Sequence, residues 1–470
     1  MEKEPRRLVF GATSVICLLV LPLLYAEFFA LNPVPFDRSR DSLEMVGMTH
    51  LSNLSVSISS RKFGKGEEEN KSLKSLLRRL VRGEDLTKLE ATGFACDSAI
   101  HSVVCIANQP VRIDTHTMTV HAPSDQPMVP GRSVVRPYAR QDDDNLLKTI
   151  TPVNILHGNI TPPACHYTHN VPAVIFSSSG FTGNLFHEFN EIIIPLFITT
   201  RHFKSNVLFI LIDYRPWFVS KYHRIFSRLS QYEVMNPAAN ISVHCFPGAV
   251  VGLKYHDNLA INSSEIPGGY SMPDFKEFLR KSYNLKIKNV SEIERPVLVL
   301  ISRRKTRMFL NEDEMIGMMK ELGFQVVVTT RPNRMSNLNR FSKVVNSGSV
   351  LVGAHGAGLA NELFLSAGAV MVQVMPLGLD WPANAFYGNP AREMGVHYLE
   401  YKIEPEESSL LKLYGRDHPV IVDPDSIFAK GYQAGRAVYL DQQNMKINLV
   451  RFRETLVEAL RLTGRLAPSS

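Results

Sequence analysis

A chain of 470 residues with 44% hydrophobic and 21% charged side chains is long enough for two or three cored domains and too apolar for disorder to dominate. Its formal charge of +7, from 52 basic and 45 acidic residues, is mild for this length, and no long Lys/Arg block concentrates it. That balance argues against nucleic-acid binding and stays compatible with a small anionic ligand.

Lys3, Arg6 and Arg7 precede an uncharged apolar run at 8–26. As a helix that run would reach about 28 Å, close to the thickness of a bilayer's hydrocarbon core. Basic residues ahead of it predict a cytoplasmic tail at 1–7, a transmembrane signal anchor at 8–26 and a lumenal remainder, the type II arrangement. A cleaved signal peptide competes, with Ala26 as its end. The run is long for such a peptide and lacks a clean small-x-small site, which favours the uncleaved anchor.

The sequons at Asn53, Asn70, Asn159, Asn240, Asn262 and Asn289 suit a secretory lumen. Of the five cysteines, Cys17 lies in the apolar run, leaving Cys96, Cys105, Cys165 and Cys245. Four cysteines allow about three pairings. The closeness of the first two favours Cys96–Cys105 with Cys165–Cys245. No Cys-x-x-Cys spacing occurs, so a zinc site is not expected.

Residues 27–90 are serine-rich and charged, with a short helix predicted near 73–81, and read as a stem. Folding is expected to resume at about 91, with short strands at 103–107, 111–113 and 118–121. Asp142-Asp143-Asp144 has the D-x-D spacing some transferases use to hold Mn²⁺, but no strand precedes it. A solvated acidic turn is the favoured reading.

The run at 173–177 is a clear strand, and Gly180 and Gly183 follow it. The next segment, 185–203, is predicted helical with a break or kink near Pro195. His187, Asn190 and Glu191 are three and four apart, so they share one helix face beside Glu188. Carboxylates in a first turn also complement the helix dipole. A polar His/Asn/Glu face just past a strand end nonetheless suits acid–base chemistry. A buried strand at 207–212, a helix to about 229, a strand region at 243–253 and a helix at 273–283 follow, then a polar linker at 287–295.

A second α/β pattern opens at Pro296. The apolar run at 297–301 ends in Ser302 and Arg303; a helix at 312–322, a strand at 325–329 and a helix at 338–346 come next. The run at 350–352 then enters a turn rich in small residues: Gly353, His355, Gly356, Ala357 and Gly358. A helical pattern starts at Leu359 and carries Asn361 and Glu362, and a strand at 370–374 closes the unit. Main-chain N–H groups at such a helix start are unpaired and can hold a diphosphate. A tight βα connection explains the glycines equally well, since the dinucleotide fingerprint is incomplete. His355 tips the balance, because a polar ring has little packing to do there. Arg303 would pair with the same phosphate. Trp381 and Tyr387 suit stacking on a sugar or base, or packing against the domain. Apolar residues between 449 and 460 fall at helical spacing and suit a core helix within the tail region 446–470.

The chain resembles plant glycosyltransferase family 61, in particular its xylan arabinosyltransferase and xylosyltransferase group. The likeness rests on Gly183-Asn184 with His187, DYRPW at 213–217, HCFP at 244–247, GLKYH at 252–256 and PGGYSM at 267–272. It continues through ISRRKTR at 301–307, GAHGAGL at 353–359, EESSL at 406–410 and RDHPV at 416–420. The resemblance implies an α/β fold of GT-B type, two Rossmann-like domains facing a cleft. These would be an acceptor domain at 91–290 and a sugar-nucleotide domain at 291–445.

It further implies an inverting, metal-independent Golgi enzyme that transfers a pentose from UDP-arabinofuranose or UDP-xylose to xylan or xylo-oligosaccharides. The sugar-nucleotide residues would be Ser302, Arg303, Gly353, His355, Gly356, Ala357, Gly358, Leu359, Asn361 and Glu362. Glu191 or Glu188 would be the base, with His187 next in line. Departures from the family pattern are Ala360, Ser366 and the pair Glu188/Glu191, which leaves open which carboxylate is the base. The expected activity is α-1,3-arabinofuranosyl transfer to xylan. Its rivals are β-1,2-xylosyl transfer to xylan or N-glycans, and an inactive Golgi scaffold in a complex of xylan-synthesising enzymes.

Overall fold

The computed structural model describes residues 72–465, apart from 100–101, 125, 127–128, 256, 267 and 330–336. The apolar run at 8–26, Cys17, Asn53, Asn70 and the first part of the expected stem lie outside these residues. No helix among the described residues is long and apolar enough to cross a membrane.

The α/β class follows from which runs are continuous and which alternate. In the C-terminal region the strands are near-continuous Val/Leu/Ile runs, the pattern of a parallel sheet covered on both faces. They form one five-stranded sheet in the order Gln325–Thr329, Val297–Ile301, Val350–Ala354, Val370–Met375, His397–Lys402, and every pairing is parallel. Alternate residues feed two cores. Leu298, Leu300, Val350 and Val352 pack with Met315, Met319, Phe452 and Leu456 on one face. Val299, Ile301 and Leu351 join Leu359, Leu363 and Phe341 on the other. Helix Leu449–Leu462 is therefore part of this layer, as its spacing predicted.

The N-terminal region differs from the expected Rossmann-like domain. Its five-stranded sheet runs Phe94–Ala99, Ser102–Ala107, Ala249–Val251, Ala173–Ser177, Leu208–Ile212, and only the last three are mutually parallel. A second, six-stranded mixed sheet includes Val111–Asp114, Thr119–Pro123 and Val153–Gly158. It covers one face through Ile113, Val120 and Ile155 packed on Ile175 and Ile210. A sheet takes this place where a doubly wound fold would carry helices. The disulfides join Cys96 to Cys105, across paired strands, and Cys165 to Cys245, on the second sheet.

The folded unit also begins earlier than the expected boundary at residue 90. A helix at 72–78, the turn after it and helix Gly83–Thr92 bring Leu77, Leu80, Val81 and Leu89 into the core, each at most 2% exposed. Their charged neighbours disguise the apolar stripe in a plain reading of composition. One core runs through both regions, holding Phe176 and Phe189 of the first with Leu351 and Phe364 of the second. Of the sequons, Asn159, Asn240, Asn262 and Asn289 are exposed.

Candidate active site

The C-terminal sheet has the order 2-1-3-4-5, so the crossovers leave strands Val297–Ile301 and Val350–Ala354 toward opposite faces. Ligands bind at such a switch point, outside the carboxyl ends of the two strands. The residues at those ends are Ser302-Arg303 and His355-Gly356. Gly356 has φ 142°, in the region that favours glycine, and a Cβ there would lie 2.8 Å from Arg307 Nη1 and 2.9 Å from Arg303 Nη1. Both guanidinium groups thus converge on the turn.

Arg307 Nη1 donates to the His355 carbonyl at 2.7 Å, and Arg303 Nε donates to the Thr306 carbonyl at 2.8 Å. Neither forms an ion pair among the described residues, and Arg307 Nε has no partner. Burial, then the charge of Arg303, pushes the Arg307 pKa down to about 10. Two crowded, unneutralised cations at a glycine turn form a site built for a polyanion.

His355 is buried, its Nδ1 2.8 Å from Gln373 Nε2. Tyr398 donates to Gln373 Oε1, which orients the amide so that its NH₂ meets the imidazole. The proton of a neutral ring then sits on Nε2. Burial and the two arginines lower the His355 pKa to about 3, so the ring is a neutral donor at physiological pH.

The other residues expected to touch the nucleotide divide into two groups. Gly356, Ala357 and Gly358 keep partial exposure. Ser302, Gly353, Leu359, Asn361 and Glu362 are buried and shape the turn from behind. Ser302 donates to Glu312, and Asn361 Nδ2 to the Gly358 carbonyl at 2.8 Å. A Cβ on Gly353 would meet Leu359 at 3.0 Å. The segment after the turn, Ala357–Phe364, is a 3-10 helix rather than the expected α-helix. Both Glu362 oxygens lack a partner, and burial drives its pKa well up, which favours the uncharged acid. Lys276, the nearby opposite charge, is lowered to about 8 by burial.

The N-terminal region holds the face expected to do acid–base chemistry. Pro195 has no N–H to give to the previous turn, and its ring crowds the carbonyl four residues back. The expected break appears as a π-helical turn, Phe189–Ile193, between helices Leu185–Glu188 and Ile194–Thr200. Asn190 and Glu191 stand on this turn, a geometry often found at functional sites.

The two carboxylates have different surroundings, and both are 0% exposed. Glu188 accepts from Gly183 N at 3.0 Å, from Tyr222 Oη at 2.6 Å and from Lys221 Nζ. Glu191 accepts from Tyr138 Oη and from His187 Nδ1 at 2.7 Å, with Arg140 Nη1 at 3.6 Å. His187 is half-buried, and Nδ1 donation to Glu191 leaves its Nε2 as the unshared base position. Asn190 is spent on structure, accepting from Leu259 N at 2.7 Å and donating to Tyr255 Oη at 3.2 Å.

Rings connect the two sites. Phe186, beside His187, meets Tyr387 edge-on at 5.7 Å, and Tyr387 meets His355 at 5.7 Å. Tyr387 is thus wall rather than stacking platform. Sequence reasoning missed Tyr138, Lys221, Tyr222 and Gln373, and no local pattern announced them. Arg307 closes the ISRRKTR motif at 301–307 but was not singled out for the nucleotide. Asp143 caps a short helix by accepting from Leu146 N at 2.9 Å, and Asp142 pairs with Arg140, so the acidic triplet serves local structure. Among the described residues no cluster of three or more His, Cys, Asp or Glu could hold a metal ion.

Residues 166–372 match the model of the family Glycosyltransferase 61. An α-1,3-arabinosyltransferase of Oryza sativa subsp. japonica is 42% identical over 332 residues, 69% of this chain and 57% of its own length. A β-1,2-xylosyltransferase of the same plant is 41% identical over 340 residues, 70% of this chain and 59% of its own. A xylan glycosyltransferase of Arabidopsis thaliana is 33% identical over 397 residues, 79% of this chain and 80% of its own. The match to the family model spans both the His187 helix and the His355 turn, and the Arabidopsis relative aligns over most of its length. The chain therefore belongs to glycosyltransferase family 61.

Proposed function

We propose that this protein transfers a pentose from a UDP-sugar to xylan, with α-1,3-arabinofuranosyl transfer to the backbone as the first reading. The observation that carries it is the convergence of Arg303 and Arg307 on the Gly356 turn at the switch point. A departing diphosphate concentrates negative charge there, and fixed donors stabilise charge that develops in the transition state. The name of the Arabidopsis relative, a xylan glycosyltransferase, supports the acceptor class, and the rice relatives' names support a transferred pentose. β-1,2-Xylosyl transfer is the second reading, favoured by a rice xylosyltransferase as similar as the rice arabinosyltransferase.

In this reading His187 Nε2 removes the proton of an acceptor hydroxyl. The hydroxyl oxygen forms a bond to the anomeric carbon as the bond from that carbon to the β-phosphate oxygen breaks, with inversion. UDP leaves toward Arg303, Arg307 and the turn amides, while His355 donates through Nε2–H. Glu191 holds the imidazole and steadies the imidazolium, as a carboxylate does in a His–acid pair. Glu191 and Glu188 are poorly suited to be the base themselves, since each is buried and bonded on both oxygens. The two arginines offer the charge that a divalent ion supplies elsewhere, so the reaction is read as metal-independent; a Golgi membrane anchor rests on the basic-flanked apolar run at 8–26 alone. The test is to incubate the full-length chain with xylohexaose and either UDP-arabinofuranose or UDP-xylose and determine the product linkage. An α-1,3-arabinofuranosyl product is expected. UDP binding without transfer would overturn the reading in favour of an inactive scaffold.

A further inference from the structure

Two large aromatic side chains stand exposed where adjacent parallel strands of the N-terminal region end. Strand Ala173–Ser177 runs out into the loop carrying Phe181, which is 38% exposed. Its neighbour Leu208–Ile212 runs out toward helix Pro216–Leu229, whose second residue, Trp217, is 46% exposed. Neither ring is needed to close the core, because Phe218 and Tyr222 of the same helix are wholly buried and do that packing.

Both rings are tied to the acid–base face. The Phe181 ring lies 4.5 Å from that of His187, tilted by 37°. Trp217 precedes Lys221 by one helical turn, and Lys221 is bonded to Glu188. Glu188 also accepts from the N–H of Gly183, two residues beyond Phe181. One buried carboxylate therefore fixes the roots of both aromatic segments. Two of the nearby cations are paired, Lys221 with Glu188 and Arg140 with Asp142.

We infer that Phe181 and Trp217 floor an acceptor subsite that takes the pyranose rings of an uncharged, β-linked pentose chain. The inference rests on the xylan reading above and adds where the acceptor lies. Aromatic faces pack against the C–H faces of a pyranose while its hydroxyls stay in water. A xylopyranose ring, lacking an exocyclic hydroxymethyl group, is well suited to such a floor. The contact of Phe181 with His187 would bring one ring of the chain beside the base.

The test compares F181A, W217A, F181L and W217L with the wild type in the full-length chain, using xylobiose to xylohexaose as acceptors. The leucine variants keep apolar bulk and lose the aromatic face. Each is expected to raise the KM for xylohexaose about tenfold, to shrink the advantage of xylohexaose over xylobiose, and to move the donor KM by less than about twofold. Unchanged acceptor KM at every chain length in the variants overturns the inference. So does a rise confined to alanine variants with lowered thermal midpoints, which marks a structural role. No transfer by the wild type to any xylo-oligosaccharide is a different failure: it overturns the parent reading and takes the subsite with it.

Discussion

The His355 turn and the His187 helix solve opposite problems. The turn holds like charges that the protein leaves unpaired: Arg303 and Arg307 crowd Gly356, and Arg307 Nε lacks a partner. The helix holds charges that the protein pairs completely, with Glu188 and Glu191 each bonded on both oxygens. A site awaiting an anion must leave its neutralisation to the ligand. A site handling a proton must fix one imidazole in one tautomer, and that takes a saturated network around it.

The sharpest test of this contrast is His187. H187A should lower kcat by about 10²–10⁴-fold while UDP affinity is retained, the range for losing a general base. Equal loss in kcat and UDP binding would break the division of labour. At the turn, R303A and R307A should each lower kcat/KM by about 10²–10³-fold, and R307K should recover little, since an ammonium cannot reproduce the fork that meets His355 O and a phosphate together. Steady-state kinetics with a separate UDP-binding assay checks both.

The two carboxylates give a smaller and more discriminating comparison. E191Q should lower kcat about 10- to 100-fold with a modest change in thermal midpoint, because it loosens the hold on His187. E188Q should mainly lower stability, by about 3 kcal/mol, since it strands Lys221 without its counter-charge. If E188Q spared stability and abolished turnover, the assignment of the two would be reversed.

The smallest effect is in pH. His355 and His202 are held at about 3 and about 4 by burial, below the usual value near 6.5. The unfolded chain binds those protons first as pH falls, so their contribution is fully present above about 6.5 and declines as pH drops toward 3–4. Denaturant unfolding of wild type and H355Q at pH 7 and pH 5 should show a shallower loss in the variant.

Much of the turn was legible in the sequence. Uninterrupted apolar strands at 297–301 and 350–354, with Arg303 and His355 placed just beyond them, imply a parallel sheet and a shared carboxyl edge. The kink at Pro195 and the shared face of His187 and Glu191 were legible as well. The N-terminal sheets were not, because Val111–Asp114 pairs with Val243–Phe246 across a large gap in sequence that no local period reports. The first early helix was expected near 73–81, but helix Gly83–Thr92 was hidden for a different reason, its few apolar residues being outnumbered by charge.

The sequence by itself determined the class of fold, the glycine turn with its arginines and the family, since these depend on local pattern and on the order of motifs. Only the tertiary structure decided which groups are paired. Tyr138 reaches Glu191, Lys221 reaches Glu188 and Gln373 reaches His355 from distant segments. The chemical state of a carboxylate or an imidazole is set by those partners and by burial, and neither is written along the chain.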